Sequence, residues 1–142
     1  MSPHTYDCFV RFSDVDVYGH VNNVKYVEFY QEARIAFITS LAGNLLAVGS
    51  NERQVVARID VDYKRPMLFR PQPYLIETWV TRIGTSSYEL GARIRTGAED
   101  DATTCSTAHV RLVAYDLAGG RSRPLTVDER DRLATGLLPD GP

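Results

Sequence analysis

The chain has 142 residues, of which 44% are hydrophobic, so it can fill one packed core but is too short for two cores of ordinary size. Its 16 basic and 18 acidic residues give a net charge of −2 without a block of like charge, which excludes the concentrated basic surface of nucleic-acid-binding proteins. It also lacks both a membrane-length apolar run and a signal-peptide pattern. We therefore expect one domain over residues 1–142, in the cytoplasm, with neither nucleic acid nor membrane as partner.

The first predicted element is a strand followed by a polar loop. Apolar and polar residues alternate from Tyr6 to Phe12, which is typical of a half-buried strand. The polar run from Ser13 to Gly19 ends this pattern. Asn22 or Asn23 is then suited to cap a helix, because an Asn side chain accepts hydrogen bonds from the free amides of a first helical turn.

A long helix follows this loop. From Val24 to Leu41 apolar residues recur three and four positions apart, with charged residues between them, which predicts an amphipathic helix of about five turns. Gly43 stands where a glycine commonly caps the C-terminus of a helix.

The rest of the chain is dominated by strand patterns. Four of them run over Val55–Tyr63, Tyr74–Ile83, Tyr88–Arg95 and Ala102–Asp116. The alternation puts Val55 and Ile59 on one face of the first, and puts Cys105 opposite Ala108 in the last. The spacing of Thr126 and Glu129 matches a capping box and predicts a short helix over about 126–134. We expect the tail after residue 137 to be loose.

These elements predict an α+β protein whose core spans about residues 6–116. One helix precedes four strands joined by short links, and short links cannot make the crossovers that parallel pairs need. We therefore expect an antiparallel sheet of about five strands, with the long helix burying its apolar stripe on one face. The turn over 96–101 should join two strands as a hairpin.

The densest group of reactive side chains lies in the loop from Asp14 to Asn23, directly before the long helix. The first amides of a helix have no intrahelical partner and, with the helix dipole, they stabilise negative charge, including the oxyanion that forms when a carbonyl is attacked. A carboxylate just upstream can act on that carbonyl or on a water beside it.

Three other interpretations of this loop compete with catalysis. A calcium loop is disfavoured because Lys25 stands where the closing glutamate is needed. A transition-metal site at His20 lacks a second nearby histidine, and the distant cysteines Cys8 and Cys105 form no metal motif. The third alternative is architectural: the aspartates shape a turn, Gly19 supplies an unusual backbone angle and the asparagines cap the helix.

The run from Val10 to Tyr26, continuing through Glu28 to Arg34, resembles the signature of the hotdog-fold acyl-CoA thioesterases of the 4-hydroxybenzoyl-CoA type, in the branch whose loop reads D-x-x-G-H-x-N-N. The segments 62–66 and 82–87 also resemble that family. The resemblance implies a hotdog fold, in which an antiparallel sheet wraps around one long central helix. It further implies that two subunits pair their sheets, as a homodimer or homotetramer, so that each active site uses both chains.

The resemblance places the family's aspartate at Asp16, as nucleophile or general base, and the amide that polarises the thioester carbonyl at Asn23. Asp14 carries no catalytic role in this comparison. His20 and Asn22 replace apolar or aromatic residues of the benzoyl-specific members, and we expect them to orient the carbonyl or a water. Glu28 is a weaker alternative carboxylate, with a solvated position favoured.

Other residues are candidates for binding or structure. Tyr26 is a candidate for the acyl pocket, although aromatic stripes on helices are more often core. Arg34 is expected to form a structural ion pair. Basic and hydroxyl side chains are candidates for binding the phosphates of coenzyme A, although basic residues on strands are commonly just solvated. They are Lys64, Arg65, Arg82, Ser86 and Ser87.

We therefore predict hydrolysis of an acyl-CoA thioester to the free acid and CoA, without a metal or bound cofactor, because a thioester is already reactive toward nucleophiles. The alternative is a non-catalytic protein that binds acyl-CoA or an acyl carrier protein. A hotdog hydratase is a third interpretation, since His20 follows Asp16 by four residues.

Overall fold

The structure, a computed structural model, describes residues 2–42 and 52–142. Its elements in chain order are strand β1 (His4–Cys8), a 3₁₀ turn (Phe12–Asp14), helix α1 (Asn23–Ala42), strands β2 (Glu52–Tyr63), β3 (Tyr74–Ile83), β4 (Ser87–Arg95), β5 (Thr104–Asp116) and β6 (Arg121–Ser122), and helix α2 (Val127–Ala134). The long helix and the four long strands begin and end close to the predicted residues. The predicted helix cap at Gly43 lies outside the described residues.

All strand pairs in the described sheet are antiparallel, in the order β1-β3-β4-β5-β2, with the short β6 added beside β5. The predicted antiparallel sheet of about five strands is confirmed, and so is the β4–β5 hairpin. β1 and β2 form the two outer edges of this order. Within the residues that the structure describes, the outer edge of β2 pairs with no other strand and can accept one.

Helix α1 packs on one face of the sheet, where it contacts β1 and β3. Tyr26, Phe29 and Tyr30 belong to a core cluster at the start of the helix, and Phe37 and Ile38 to a second cluster toward its end. The apolar stripe predicted for the helix is thus buried. The helix does not cover the whole sheet, since Val56 and Tyr63 of β2 remain 46% and 51% exposed.

The first strand lies earlier than predicted. β1 ends at Cys8, which pairs with Tyr74, and Tyr74 is the first residue of β3 after Pro73. Beyond Cys8 the chain has no described strand to pair with, and Phe12 instead enters the 3₁₀ turn with its side chain 80% exposed. The alternation from Tyr6 to Phe12 therefore placed the end of the strand four residues too late.

The predicted faces of two strands are wrong in part because of bulges. A register shift between Val56 and Arg58 puts Val56, and not Val55, on the same side as Ile59. In β5 a second shift leaves Cys105 unpaired with β4, between the pairs made by Thr104 and Ser106. Cys105 is therefore buried in the core cluster together with Ala108. The apolar alternation of a sequence does not show where a bulge will form. A bulge inserts one extra residue into one strand, and this insertion is defined only relative to the partner strand.

The C-terminal segment is better ordered than predicted. The capping box is confirmed, since Thr126 Oγ1 accepts from the Glu129 amide at 3.0 Å and Glu129 Oε1 accepts from the Thr126 amide at 2.9 Å. After α2 the tail returns to the sheet, where the Leu138 amide donates to the Val80 carbonyl at 2.7 Å. The expectation of a loose tail is therefore wrong. In the described ranges, neither helix has the length and apolar content to cross a bilayer.

Candidate active site

The loop before α1 is a small hairpin docked on a neighbouring segment. Val15 and Val21 form an antiparallel bridge, and His20 forms another with Leu68. The Val21 amide donates to the Met67 carbonyl at 2.9 Å, which ties the hairpin to the chain after β2. Backbone hydrogen bonds therefore hold the loop in place, although it contains neither a long strand nor a helix.

Gly19 closes the tip of this hairpin. Its φ of +76° lies in the left-handed region, which side chains with a Cβ adopt only at a cost. Its amide donates to the Asp16 carbonyl at 3.0 Å, and the Asp16 amide donates to the His20 carbonyl at 2.9 Å. The turn consequently places Asp16 and His20 opposite each other.

Asp14 has a structural role. Its side chain is fully buried, and it accepts hydrogen bonds from the Arg11 amide at 2.8 Å and from Arg11 Nη2 at 3.0 Å. Burial raises the pKa of this carboxyl, but the hydrogen bonds and charge of Arg11 outweigh it and hold the pKa below its ordinary value. An ionised, enclosed carboxylate of this kind is unavailable to substrate. The expectation that Asp14 is not the reactive aspartate is consistent with this geometry.

Asp16 is exposed, in contrast to Asp14 two residues earlier. Its Oδ1 accepts from the Tyr18 amide at 2.9 Å and from the His20 amide at 3.3 Å. Among the described residues, none donates to Oδ2. One carboxylate oxygen thus fixes the orientation of the side chain, and the other remains available to a substrate or a water.

The start of α1 lies beside this loop. The Asn22 amide donates to the Asp14 carbonyl, and the Asn22 carbonyl accepts from the Lys25 amide, both at 2.9 Å, so Asn22 takes the N-cap position. The first helical residue is Asn23, whose amide donates to no residue of the described ranges. This free amide points to a place where negative charge is stabilised.

Tyr63 at the end of β2 was not among the predicted site residues. Its hydroxyl donates to the Asn23 carbonyl at 2.9 Å, and its ring packs on Tyr26 with 4.9 Å between centroids. The signal in the sequence was an aromatic residue at the end of a strand, which by itself does not distinguish a site from the core. Tyr63 joins the edge strand to the start of the helix.

The other loop and helix candidates differ in exposure. His20 is exposed, and its backbone makes the contacts to Asp16. Tyr26 is 3% exposed, and its hydroxyl accepts from the Met67 amide at 3.0 Å. Glu28 is exposed and pairs with Lys25 at 3.1 Å, as favoured from the sequence. Tyr26 therefore forms part of the floor beneath the loop.

The predicted CoA-binding residues fall into two groups at opposite ends of the sheet. The amides of Lys64 and Arg65 donate to the Cys105 carbonyl, next to Tyr63 and the helix start. The second group, Arg82, Ser86 and Ser87, lines a polar cavity of about 380 Å³ at the β3–β4 turn. Ser87 pairs with Val113 of β5, whereas Tyr63 pairs with Ser106. Seven residues of strand separate these positions, or about 23 Å.

The ion pair expected for Arg34 is absent from the described part of the chain. Arg34 is 8% exposed, and its Nη1 is buried without a hydrogen-bond partner there. Burial lowers the pKa of the guanidinium, while Tyr88 raises it. The ion pair of Arg34 therefore stays a prediction, and Glu129, the carboxylate that influences Tyr88, is committed to another arginine. Glu129 pairs with Arg123 at 2.7 Å.

Comparison with known proteins gives a consistent picture. A family model described as the thioesterase-like superfamily matches residues 10–133. The PA2801 protein from Pseudomonas aeruginosa is 34% identical, with 92% of this chain and 98% of that chain covered and a TM-score of 0.79. A thioesterase from Thermus thermophilus, solved with coenzyme A and zinc, is 28% identical over 94% of this chain and 93% of its own, also with a TM-score of 0.79.

A shorter match involves a curated enzyme. The long-chain acyl-CoA thioesterase FadM of Escherichia coli is 39% identical over 57 residues, which are 40% of this chain and 43% of FadM. Together these similarities confirm the predicted hotdog fold at the level of an antiparallel sheet of five to six strands with two helices.

Proposed function

The chain belongs to the thioesterase-like superfamily, and on this basis we propose that it hydrolyses the thioester bond of an acyl-CoA. The observation that carries the proposal is the pairing of an exposed carboxylate with a free helix amide. Asp16 keeps one oxygen free of described hydrogen-bond donors, and Asn23 begins α1 with an amide free of described acceptors. Both belong to one short segment of chain.

In the proposed reaction the thioester carbonyl oxygen accepts a hydrogen bond from the Asn23 amide. Asp16 then acts in one of two ways. As a general base it takes a proton from water, and the resulting hydroxide adds to the carbonyl carbon; as a nucleophile it adds to that carbon directly, and water later cleaves the mixed anhydride. In both cases the C–S bond breaks, the sulfur leaves with the bonding electrons, and CoA takes up a proton.

Neighbouring residues support this chemistry. His20 and Asn22 flank the carboxylate and the helix start, and we assign them to orienting the carbonyl or the water. Tyr63 donates a hydrogen bond to the Asn23 carbonyl and so anchors the first residue of α1 to the end of β2. We further place the chain in the 4-hydroxybenzoyl-CoA thioesterase type, in the D-x-x-G-H-x-N-N branch, because residues 16–23 carry that pattern in full.

We propose that binding of the CoA moiety and assembly of the site are linked. The Thermus thermophilus relative is solved with coenzyme A. In this chain Lys64 and Arg65 lie at the helix-start end, whereas Arg82, Ser86 and Ser87 lie at the other end. A two-fold pairing of edge strand β2 with its copy would reverse one sheet against the other and bring these two ends together. The proposed enzyme is therefore a homodimer, or a homotetramer built from such dimers.

The test is a thiol-release assay on short, long and aryl acyl-CoAs. The proposal predicts catalytic turnover, with free thiol far exceeding the enzyme present. Saturable acyl-CoA binding without thiol release would contradict hydrolysis and support a non-catalytic binding protein. Water addition to an enoyl-CoA, again without thiol release, would instead indicate a hydratase.

A further inference from the structure

The first peptide unit inside helix α1 has a hydrogen-bond partner on a different element. Tyr63, at the end of β2, donates through its hydroxyl to the Asn23 carbonyl at 2.9 Å. A carbonyl oxygen has two lone pairs, and one of them is enough for the helical bond from the amide four residues later. The Tyr63 hydroxyl uses the other lone pair, from a position forty residues away in the sequence.

The same peptide unit carries the Val24 amide at its other end. The Asn23 carbonyl and the Val24 N–H belong to one planar group and point in opposite directions along the helix. Val24 is the second residue of α1, and no acceptor among the described residues takes a hydrogen bond from its amide. The amides of Asn23 and Val24 are thus two neighbouring donors that point toward the N-terminal end of α1, where the loop with Asp16 enters.

The hydrogen bond from Tyr63 acts on one of these two donors. A hydrogen bond donated to a peptide carbonyl polarises the whole unit and strengthens its N–H as a donor, by roughly 10–30%. The unit that accepts from Tyr63 contains the Val24 N–H, whereas the Asn23 N–H belongs to the unit before it. The hydroxyl of Tyr63 therefore strengthens the Val24 amide and not the Asn23 amide.

The ring of Tyr63 is held in place by a buried neighbour. It packs edge-on against Tyr26, with 4.9 Å between the ring centroids. Tyr26 is 3% exposed, and its hydroxyl accepts from the Met67 amide at 3.0 Å. The position of the Tyr63 ring consequently does not depend on its hydroxyl alone.

We propose that the Val24 amide is a second donor to the thioester oxygen, and that Tyr63 is a positioning residue that strengthens this donor. The inference rests on the proposed thioesterase function. When the carbonyl carbon is attacked, negative charge develops on its oxygen, and two amides at a helix start stabilise that charge more than the Asn23 amide alone. The oxygen of the intact thioester carries less charge, so the gain is largest in the transition state.

The first test removes the hydroxyl of Tyr63 and keeps its ring. In the thiol-release assay on the best acyl-CoA, Tyr63→Phe should lower kcat and kcat/KM together, by about three- to tenfold. KM, the melting temperature and the mass in solution should not change, because the lost interaction is made in the transition state. Tyr115→Phe, toward the other end of β5 and paired with Ser122, is the matched control and should keep the wild-type kcat.

A second substitution separates this role from simple anchoring of the helix. Val24→Pro removes the amide hydrogen, and proline is tolerated in the first turn of a helix. It should lower kcat by at least about tenfold. Adding Tyr63→Phe should then have no further effect on kcat, since the donor that Tyr63 strengthens is absent. If Val24→Pro does not fold, an ester bond in place of the Asn23–Val24 amide removes the same hydrogen and should give the same result.

Wild-type kcat in Tyr63→Phe would overturn the inference while leaving thioesterase function intact. Equal losses from Tyr63→Phe with and without the Val24 N–H would also overturn it, because the effect would not pass through this peptide unit. A fall in kcat that accompanies a lower melting temperature or a changed mass would do the same and indicate a structural role. Absence of thiol release from the wild-type protein would instead refute the proposed function, and the inference with it.

Discussion

Two aspartates separated by a single valine have opposite surroundings in the loop before α1. Asp14 is enclosed and held by Arg11, whereas Asp16 is exposed and uses only one oxygen to shape the turn. The sequence alone left an architectural role open for both, because aspartate is common in turns. Only the family resemblance singled out Asp16. The structure supplies the physical difference, since an enclosed carboxylate in an ion pair cannot meet a substrate.

Asp14 gives a prediction about acid stability. Since the folded-state pKa lies below the ordinary value of 3.8, the stabilisation from Arg11 is present above that pH and is lost as the pH falls through the folded-state pKa. Asp14→Asn should lower the free energy of unfolding by about 1–2 kcal/mol at neutral pH. Urea unfolding should show this difference shrinking toward zero in strong acid. A difference that stays constant with pH would contradict the assigned ion pair.

Arg34 and Tyr63 mark the limits of prediction for single residues. The ion pair of Arg34 was expected because Glu32, Ala33 and Arg34 match the family's Glu-Ala-Arg, but which carboxylate meets which arginine depends on the assembled sheet. Tyr63 was not selected because its contact with Asn23 joins residues forty positions apart. Such contacts arise from tertiary packing and leave no local periodic signal.

At the level of elements, helix α1 was predicted to within a residue or two at each end, because twenty residues give five turns of apolar repetition. The strands were less certain. β1 ended early because its partner β3 begins at Tyr74, and the bulge in β2 moved Val55 to the opposite face from Ile59. Both differences come from the neighbouring strand. The alternation within one strand therefore predicts that a strand exists. It does not determine where the strand ends or which side chains point toward the core.

The turn of the reactive loop yields a prediction at this scale. Gly19 has a φ of +76°, and a Cβ added there would meet no atom within 4 Å. Gly19→Ala should therefore destabilise the protein only through backbone strain, by about 1 kcal/mol. Gly19→Asn should cost less, since asparagine tolerates the left-handed region. Thermal melts of both variants measure this order; equal stability of the alanine variant and the wild type would contradict the turn geometry.

At the scale of the whole molecule, β2 is a long edge strand without a further strand beside it in the described ranges. β2 has twelve residues, lies at the end of the sheet, and carries exposed apolar side chains, including Val55 at 42%. An edge of this kind is a template for pairing with another chain. The predicted assembly came from the family resemblance and not from composition. The two groups of candidate CoA-binding residues lie at opposite ends of the sheet. Pairing of two subunits would bring these groups together, which is a physical reason for the predicted assembly.

Pairing of two subunits through strand β2 can be tested by introducing one charged side chain on that strand. Val55→Lys should weaken self-association by about tenfold or more, because a lysine on an edge strand opposes a second strand. Light scattering across a concentration series measures the shift, and thiol release should fall with the dimer fraction. Val127→Lys, at a 75% exposed position of α2, is the matched control. A Val55→Lys variant that keeps its mass and activity would contradict pairing through β2.

The most direct measurement of the central claim is the turnover of Asp16→Asn on the best acyl-CoA. Asparagine retains an oxygen that can accept from the Tyr18 and His20 amides, so the loop should keep its shape and the melting temperature should not change. Loss of the basic oxygen should lower kcat by at least about 100-fold, while Asp131→Asn on α2 should leave it unchanged. A folded Asp16→Asn protein with wild-type kcat would contradict the account.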